Sequence, residues 1–205
     1  MRRVAALVCS AVMIAAAVAL AQAPAGFSAD MQMKSPKSPP INGKFYFSGN
    51  KTRMDVRAEG QESRIISDLN AKKVYMVMPE HRMYMEYGFG QMQGQKTPDL
   101  KPRNPNNPCD EAEYTCKKVG TETVNGRSCD KWRFTSKKKD TANMTAWLDQ
   151  KSMVPIRSVT DDGHQWDLLN LKEGPQNPSL FAIPSGYTKM DMGGMMGGQM
   201  PRPRR

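Results

Sequence analysis

The stretch from Cys116 to Phe134, CKKVGTETVNGRSCDKWRF, limits the possible folds of this chain more than any other. Two runs of strand-favouring residues flank Asn125-Gly126, a dipeptide that suits a type I′ turn because both central residues must take positive φ. A two-residue loop at that point places Glu122 opposite Cys129. The stretch therefore predicts an antiparallel β-hairpin.

The register of this hairpin also assigns its faces. Counting back from the turn places Val119 opposite Trp132, and we expect this pair on a buried face with Cys129 on the reverse. The same count brings Lys118 and Arg133 together on one face. Two like charges directly opposite are unfavourable, which indicates a bulge or extra twist there.

The rest of the chain reads as further short strands. Turn signals recur every 8–12 residues, for example at Gly49-Asn50, Asn70-Ala71 and Asp162-Gly163. No window of twelve or more residues shows a helical period. The sequence therefore predicts an all-β sheet or barrel.

The N-terminus has the pattern of a secretory signal peptide. Two arginines precede an apolar run that ends in small residues, and the preferred cleavage site follows Ala19-Leu20-Ala21. We therefore divide the chain into a signal peptide (1–21), one β domain (22–192) and a disordered Gly/Met/Arg tail (193–205). The product is expected to be periplasmic or secreted.

The charge is basic but does not indicate nucleic-acid binding. The formal net charge of +10 includes five arginines in the signal peptide and tail, so the body is modestly basic. Its aromatic residues are not interleaved with lysines, as a base-stacking surface requires. An anionic membrane surface is a candidate partner, beside the simpler interpretation of a solvated basic surface.

Three cysteines remain after removal of the signal peptide: Cys109, Cys116 and Cys129. In the predicted hairpin Cys116 and Cys129 lie roughly 20 Å apart, beyond disulfide reach. We therefore favour a Cys109–Cys116 disulfide that leaves Cys129 unpaired, with Cys109–Cys129 as the alternative. No CxxC motif is present to suggest a thioredoxin-like site.

The segment KVYMVMPEHRMYMEYG predicts a second hairpin, with Glu80-His81 as its loop. One face would then be wholly apolar or aromatic, pairing Met78 with Met83, Met76 with Met85 and Val74 with Tyr87. Methionine side chains are flexible and polarizable, so they adapt to irregular partners. This face has two interpretations, ordinary core packing or the lining for a lipid-like ligand.

Three motifs resemble a known superfamily. WLDQKSMVPIR (Trp147 to Arg157) is similar to the "W-x-D, turn, P-x-R" hairpin of LolA/LolB-like bacterial envelope proteins. SLFAIPSGYTKMDM and KVGTETVNGRSCDKW resemble the C-terminus and a hairpin of an uncharacterised branch of it. The motifs occur in the expected order.

This resemblance implies a single strongly curved antiparallel sheet, an incomplete barrel with an apolar concave face and few or short helices. LolA-like members carry lipoprotein acyl chains in that concavity, and relatives bind other lipidic ligands. The superfamily usually covers the concavity with helices, which the present sequence does not predict. The Gly88 to Pro108 loop is a candidate lid.

The implied function is non-catalytic binding of a lipid, acyl chain or lipoprotein, without a cofactor. The candidate ligand contacts are the apolar hairpin face and the three tryptophans. They are Val74, Met76, Met78, Met83, Met85, Tyr87, Trp132, Trp147 and Trp166.

Catalytic patterns are scarce. The two histidines, His81 and His164, lie in or beside predicted turns, and neither belongs to a metal-binding motif. Asp161 and Asp162 near His164 form first of all a turn composition. We therefore predict that the protein is not an enzyme.

Two other functions remain open. Thioethers are soft ligands that suit Cu(I), and the chain has 17 methionines. Those near the tail, Met190, Met192, Met195, Met196 and Met200, are an alternative copper site. A structural or interaction module without a small ligand is the other possibility.

Overall fold

The computed structural model describes residues 25–58, 60–88, 108, 114–139 and 141–190. These residues form twelve strands and two short 3-10 helices, Pro79–His81 and Pro178–Phe181. The strands are β1 (Gly26–Ser35), β2 (Ser38–Ser48), β3 (Lys51–Ala58), β4 (Gln61–Asp68), β5 (Lys73–Met78), β6 (Met83–Gly88), β7 (Tyr114–Val124), β8 (Arg127–Ser136), β9 (Met144–Asp149), β10 (Pro155–Thr160), β11 (Gln165–Glu173) and β12 (Thr188–Lys189).

All twelve strands belong to one curved sheet, in the order β12-β6-β5-β4-β3-β2-β1-β11-β10-β9-β8-β7. Neighbouring strands are antiparallel, except that the two-residue β12 runs parallel to β6. Because β12 and β7 stay at opposite edges, the sheet does not close into a barrel. The predicted fold class, a mostly β chain in an incomplete barrel with few or short helices, is confirmed.

The centre of the sheet is held by aromatic pairing between β1 and β2. Phe27 lies opposite Phe47 and Ala29 opposite Phe45, so these side chains share one face. The Phe27 ring centroid is 5.3 Å from that of Phe47 and 5.8 Å from that of Phe45. Alternation of apolar residues along β1 thus forms the main buried cluster.

One glycine lets two backbones come close in this region. Gly43 of β2 lies opposite Met31 and Val56. A Cβ atom at Gly43 would stand 2.2 Å from the carbonyl oxygen of Asp55, a contact that no other residue could make without a backbone shift.

The β7–β8 hairpin forms around the predicted turn. Asn125 has φ 50° and Gly126 has φ 78°, as a type I′ turn requires. Glu122 lies opposite Cys129, which is the predicted register near the turn.

Further from the turn the predicted register is wrong by one residue. Trp132 pairs with Lys118 rather than with Val119, because the register shifts between Lys118 and Gly120. Val119 is 49% exposed instead of buried. The bulge turns Lys118 to the face of Asp130, where the two side chains form an ion pair at 2.6 Å. The predicted placement of Trp132 and Cys129 on opposite faces is confirmed.

The structure describes two of the three cysteines that follow the predicted signal peptide. Cys116 is disulfide-bonded, and Cys129 is a free cysteine with no exposed surface. Cys109, its predicted partner, lies outside the described residues. So do the predicted signal peptide, nearly all of the 88–108 loop and the tail methionines beyond Met190. No helix in the described part is long and apolar enough to span a membrane.

Residues 174–190, the C-terminal segment, cover one face of β3 to β6. Phe181, in the second 3-10 helix, is buried against Ile66 and Val77. Arg53 donates a hydrogen bond from Nη1 to the Leu180 carbonyl oxygen at 3.0 Å. The segment contains the second 3-10 helix, Pro178–Phe181, and ends in the short parallel strand β12.

Candidate functional site

The methionine face is the side of β5 and β6 that carries Val74, Met76, Met78, Met83, Met85 and Tyr87. The cross-strand pairs are those predicted: Met76 with Met85, Met78 with Met83, and Val74 with Tyr87. The connection differs from the predicted two-residue loop. Pro79–His81 forms a turn of 3-10 helix, and Arg82 takes positive φ at 51° to lead into β6.

The methionine face continues across the sheet as one apolar row. Met85 pairs with Met76, and Met76 with Ile65 on β4. Ile65 in turn pairs with Met54 on β3, which pairs with Phe45 on β2. Because directly paired residues share a face, the row runs without a charge from the edge hairpin to the main buried cluster.

The two faces of the β5–β6 hairpin are covered very differently. On one face Val77 is fully buried under Phe181 of the C-terminal segment. On the other, the four methionines are half-buried, and none of them packs against the three buried clusters formed by the described residues. Val74, at one end of the same face, is buried. The four methionines therefore form an apolar surface that none of these buried clusters covers.

Two of the three tryptophans lie on the same side of the sheet as the methionine face. A ladder of pairs joins Trp132 through Ala146 and Ser158 to Trp166 and Met33. The Trp166 ring meets Phe45 edge to face, with ring centroids 5.9 Å apart. Trp166 is six strands from β6 along the sheet, so it extends the apolar surface rather than adding to the hairpin.

Trp147 alternates with Ala146 along β9 and belongs to the main buried cluster with Phe45, whereas Trp132 belongs to a separate buried cluster. Trp147 pairs with Lys131 and Arg157, whereas its neighbour Ala146 pairs with Trp132. The Lys131 ammonium stands 4.9 Å from the Trp147 ring centroid, and the Trp147 indole N–H donates to the Glu122 carboxylate. The sequence grouped the tryptophans by residue type, but the register of β8 with β9 decides which face each one occupies.

Trp132 and Trp147 can be compared directly because both are about 90% buried. The Trp132 indole N–H finds no hydrogen-bond partner among the described residues, whereas that of Trp147 bonds to a carboxylate. A hydrogen bond to a charged group stabilises the folded state by about 1.5–3 kcal/mol, and a buried donor without a partner destabilises it.

We therefore expect Trp147→Phe to lower the free energy of unfolding by about 1–2 kcal/mol more than Trp132→Phe. Urea unfolding of the two variants tests this; equal losses would contradict it.

The charged residues of the W-x-D…P-x-R motif hold neighbouring strands and the β9–β10 turn together. Asp149 accepts hydrogen bonds from Arg127 at 2.9 Å and from the Ser152 backbone and hydroxyl at 2.9 and 2.7 Å, which fixes the β9–β10 turn. Arg157 donates to the buried Asp167 at 2.6 Å. The two arginines lie 22 and 10 positions from their carboxylate partners, so no local pattern predicts these pairs.

The buried Asp149 carboxylate makes the free energy of unfolding depend on pH in the acidic range. Burial alone raises its pKa, but the hydrogen bonds from Arg127 and Ser152 outweigh burial and hold the pKa below its ordinary value. A lowered pKa in the folded state stabilises the fold above the unfolded pKa, near 4, and this contribution is lost as the pH falls further. We expect Asp149→Asn to lose less free energy of unfolding than the wild type between pH 5 and pH 2. Urea unfolding at several pH values measures this, and an equal decrease in the free energy of unfolding of both proteins over this pH range would contradict it.

Groups with catalytic chemistry come together at one place, the β10–β11 turn. Ser35 Oγ lies 3.0 Å from His164 Nδ1, and His164 Nε2 lies 4.0 Å from Asp162. The histidine and aspartate side chains are both 57% exposed, so water competes for every contact. Sequence reasoning missed Ser35, which comes from β1, because no local pattern links it to the turn. The arrangement is an exposed polar turn.

Two other reactive side chains, Cys129 and His81, lie away from this turn. Burial and the nearby Asp149 charge raise the pKa of the Cys129 thiol to about 11, which keeps it protonated and unreactive. His81 is exposed at the tip of the β5–β6 hairpin. In the described residues, no group of three or more His, Cys, Asp or Glu side chains could hold a metal ion.

A comparison with known protein families assigns the chain to one of them. The model of DUF4412, a domain of unknown function, matches residues 27–151, more than half of the sequence. The chain belongs to the DUF4412 family. The matched range contains the whole methionine face, whereas the C-terminal segment lies outside it. Among curated proteins, none is detectably similar in sequence.

Solved structures share the fold of this DUF4412 chain. An uncharacterised conserved protein from Thermus thermophilus is 10% identical, with a TM-score of 0.57 over 83% of this chain and 91% of that one. A chain of the Pseudomonas aeruginosa MucA/MucB complex is 13% identical, with a TM-score of 0.51 over 78% of this chain and 56% of that one. At these identities the likeness establishes the fold alone.

A LolA superfamily protein from Nitrosomonas europaea is also similar. It is 10% identical, with a TM-score of 0.39 over 80% of this chain and 91% of that one. The fold shared with the better-matched structures is consistent with the predicted LolA/LolB-like fold.

Proposed function

We propose that this DUF4412 protein is a non-catalytic envelope protein that binds the acyl chain of a lipid or lipoprotein on the methionine face. The observation that carries the proposal is the unequal cover of the β5–β6 hairpin. One face is closed by Phe181, and the other presents four half-buried methionines that belong to no buried cluster of the described residues.

The chemistry of the surface favours an apolar ligand. The row from Met85 to Phe45 has no charged side chain to recognise a polar group. Burial contributes about 0.8 kcal/mol for each methylene, so about ten buried methylenes reach the range of a micromolar dissociation constant before the costs of association. Methionine suits such a ligand because its side chain adapts to a flexible chain.

The location and partners follow from the same proposal. The predicted signal peptide (1–21) would deliver the protein to the periplasm or the exterior, where acylated molecules and the membrane surface are found. MucB, which shares the fold, is described in complex with MucA. A polypeptide partner is therefore an alternative occupant that the experiment must separate from a lipid.

Native mass spectrometry of protein purified from its own envelope without detergent tests the proposal. We expect adducts with the mass of an acylated molecule, and an increase in melting temperature when palmitate is added to stripped protein. A protein without adducts, whose melting temperature is unchanged by palmitate, would contradict the proposal. A polypeptide adduct in its place would favour the MucB-like alternative.

A further inference from the structure

The four thioethers of the methionine face stand in two directly opposed pairs. Met76 pairs with Met85, and Met78 with Met83, on adjacent antiparallel strands. Opposed Cβ atoms in such pairs are about 4.5–5.5 Å apart. Each side chain then has three rotatable bonds with which to bring its sulfur toward the others.

The four methionines are only partly buried, in contrast to Met31 of the same sheet, which is 1% exposed. The Tyr87 hydroxyl donates to Met85 Sδ at 3.2 Å, so at least one sulfur already acts as an acceptor on this face. Leucine would pack equally well at these positions, but it lacks the sulfur lone pairs that a ligand to a metal ion needs.

We propose that Met76, Met78, Met83 and Met85 form a binding site for a Cu(I) ion. Thioethers are soft, uncharged ligands that select Cu(I) over harder cations. The residues that make up the methionine face include none of the carboxylates that Ca²⁺ or Mg²⁺ requires. The ion binds in its reduced state, so the site needs no redox step.

This site lies beyond the proposed acyl-chain function and can be separated from it. Leucine and methionine are similar in volume and in apolar character. Replacing all four methionines by leucine removes the sulfur ligands and keeps an apolar surface. Palmitate binding therefore reports on the acyl-chain function, and Cu(I) binding reports on the thioethers.

The experiment is a competition titration of the full chain with bicinchoninate for Cu(I), under reducing and anaerobic conditions. We expect the M76L/M78L/M83L/M85L variant to bind Cu(I) at least about tenfold more weakly than the wild type. The matched control replaces four methionines of the tail, in M192L/M195L/M196L/M200L, and should retain the wild-type affinity. The M76L/M85L variant, which changes a single pair, should show the same direction of effect if the fourfold variant does not fold.

Two results would overturn the copper site. In the first, the wild type fails to compete with bicinchoninate for Cu(I). In the second, the M76L/M78L/M83L/M85L variant binds Cu(I) as tightly as the wild type. Neither result bears on acyl-chain binding, which palmitate measures separately.

Discussion

Arg127→Leu is expected to lower the free energy of unfolding by about 3 kcal/mol, because it leaves a buried carboxylate without its cation. Asp149 is 3% exposed, and Arg127 donates to both of its oxygens at 2.9 and 3.1 Å. Removing one partner of a buried pair costs about 3–5 kcal/mol. The lower end applies because Arg127 is partly exposed and Ser152 still donates to Asp149. Urea unfolding at pH 7 measures the loss.

A second arginine of the same strand provides the control. Arg133 pairs with Asp161 at the surface, where both side chains are about a third to a half exposed. Solvent screens such pairs, and they add little to stability. Arg133→Leu should therefore destabilise the protein clearly less than Arg127→Leu. If both variants unfold at the same urea concentration, the buried network around Asp149 does not have the structural role inferred for it.

Met76→Glu is expected to weaken palmitate binding by more than about tenfold, because an acyl chain would have to bury an unpaired carboxylate. Met76 lies in the middle of the apolar row, between Met85 and Ile65. It is half-buried in the free protein, so we expect a cost in stability of only about 1 kcal/mol. Binding is measured by isothermal titration calorimetry, with palmitate below its micelle concentration.

Val119→Glu is the matched control for this substitution. Val119 is an exposed apolar residue at the β7 bulge, far along the sheet from the methionine face. The same charge is introduced there without touching the proposed site, so palmitate affinity should not change. Equal weakening in both variants would indicate a general electrostatic effect on palmitate and would contradict a site at Met76.

The elements predicted well from sequence are those fixed by short-range rules. Asn125-Gly126 determines its own turn, since few other dipeptides take two positive φ angles cheaply. The pairing of Met76 with Met85 follows from a short loop and the period of two. The confirmed hairpins therefore owe their accuracy to turn chemistry and alternation, with no knowledge of distant contacts.

The sequence predictions are wrong where the sheet face that a side chain occupies depends on more than the turn of its own hairpin. A β-bulge at Val119 shifts the register of β7 by one residue, and a one-residue slip moves a side chain to the other face. The facing charges of Lys118 and Arg133 in the predicted register indicate a bulge or extra twist in this region, but its position depends on contacts across strands, here the ion pair of Lys118 with Asp130. The face of Trp147 likewise depends on how β9 pairs with β8 across a loop that has no tight-turn signal.

The sequence also did not predict which segment packs over the sheet. Residues of the C-terminal segment contact β3 to β6 more than a hundred positions earlier in the chain, as in the bond from Arg53 to Leu180. That long-range contact determines which face of the β5–β6 hairpin is closed. The sequence could name the apolar residues, but only the fold separates the covered Val77 from the open methionines.

The most direct test of the acyl-chain site is an NMR titration of protein labelled with ¹³C at the methionine methyl groups. Palmitate bound on the methionine face should shift the signals of Met76, Met78, Met83 and Met85. Met31, buried in the main cluster, and Met144, on β9, should keep their chemical shifts. Shifts confined to Met31 or Met144, or the absence of any shift at saturating palmitate, would contradict a binding site on the methionine face.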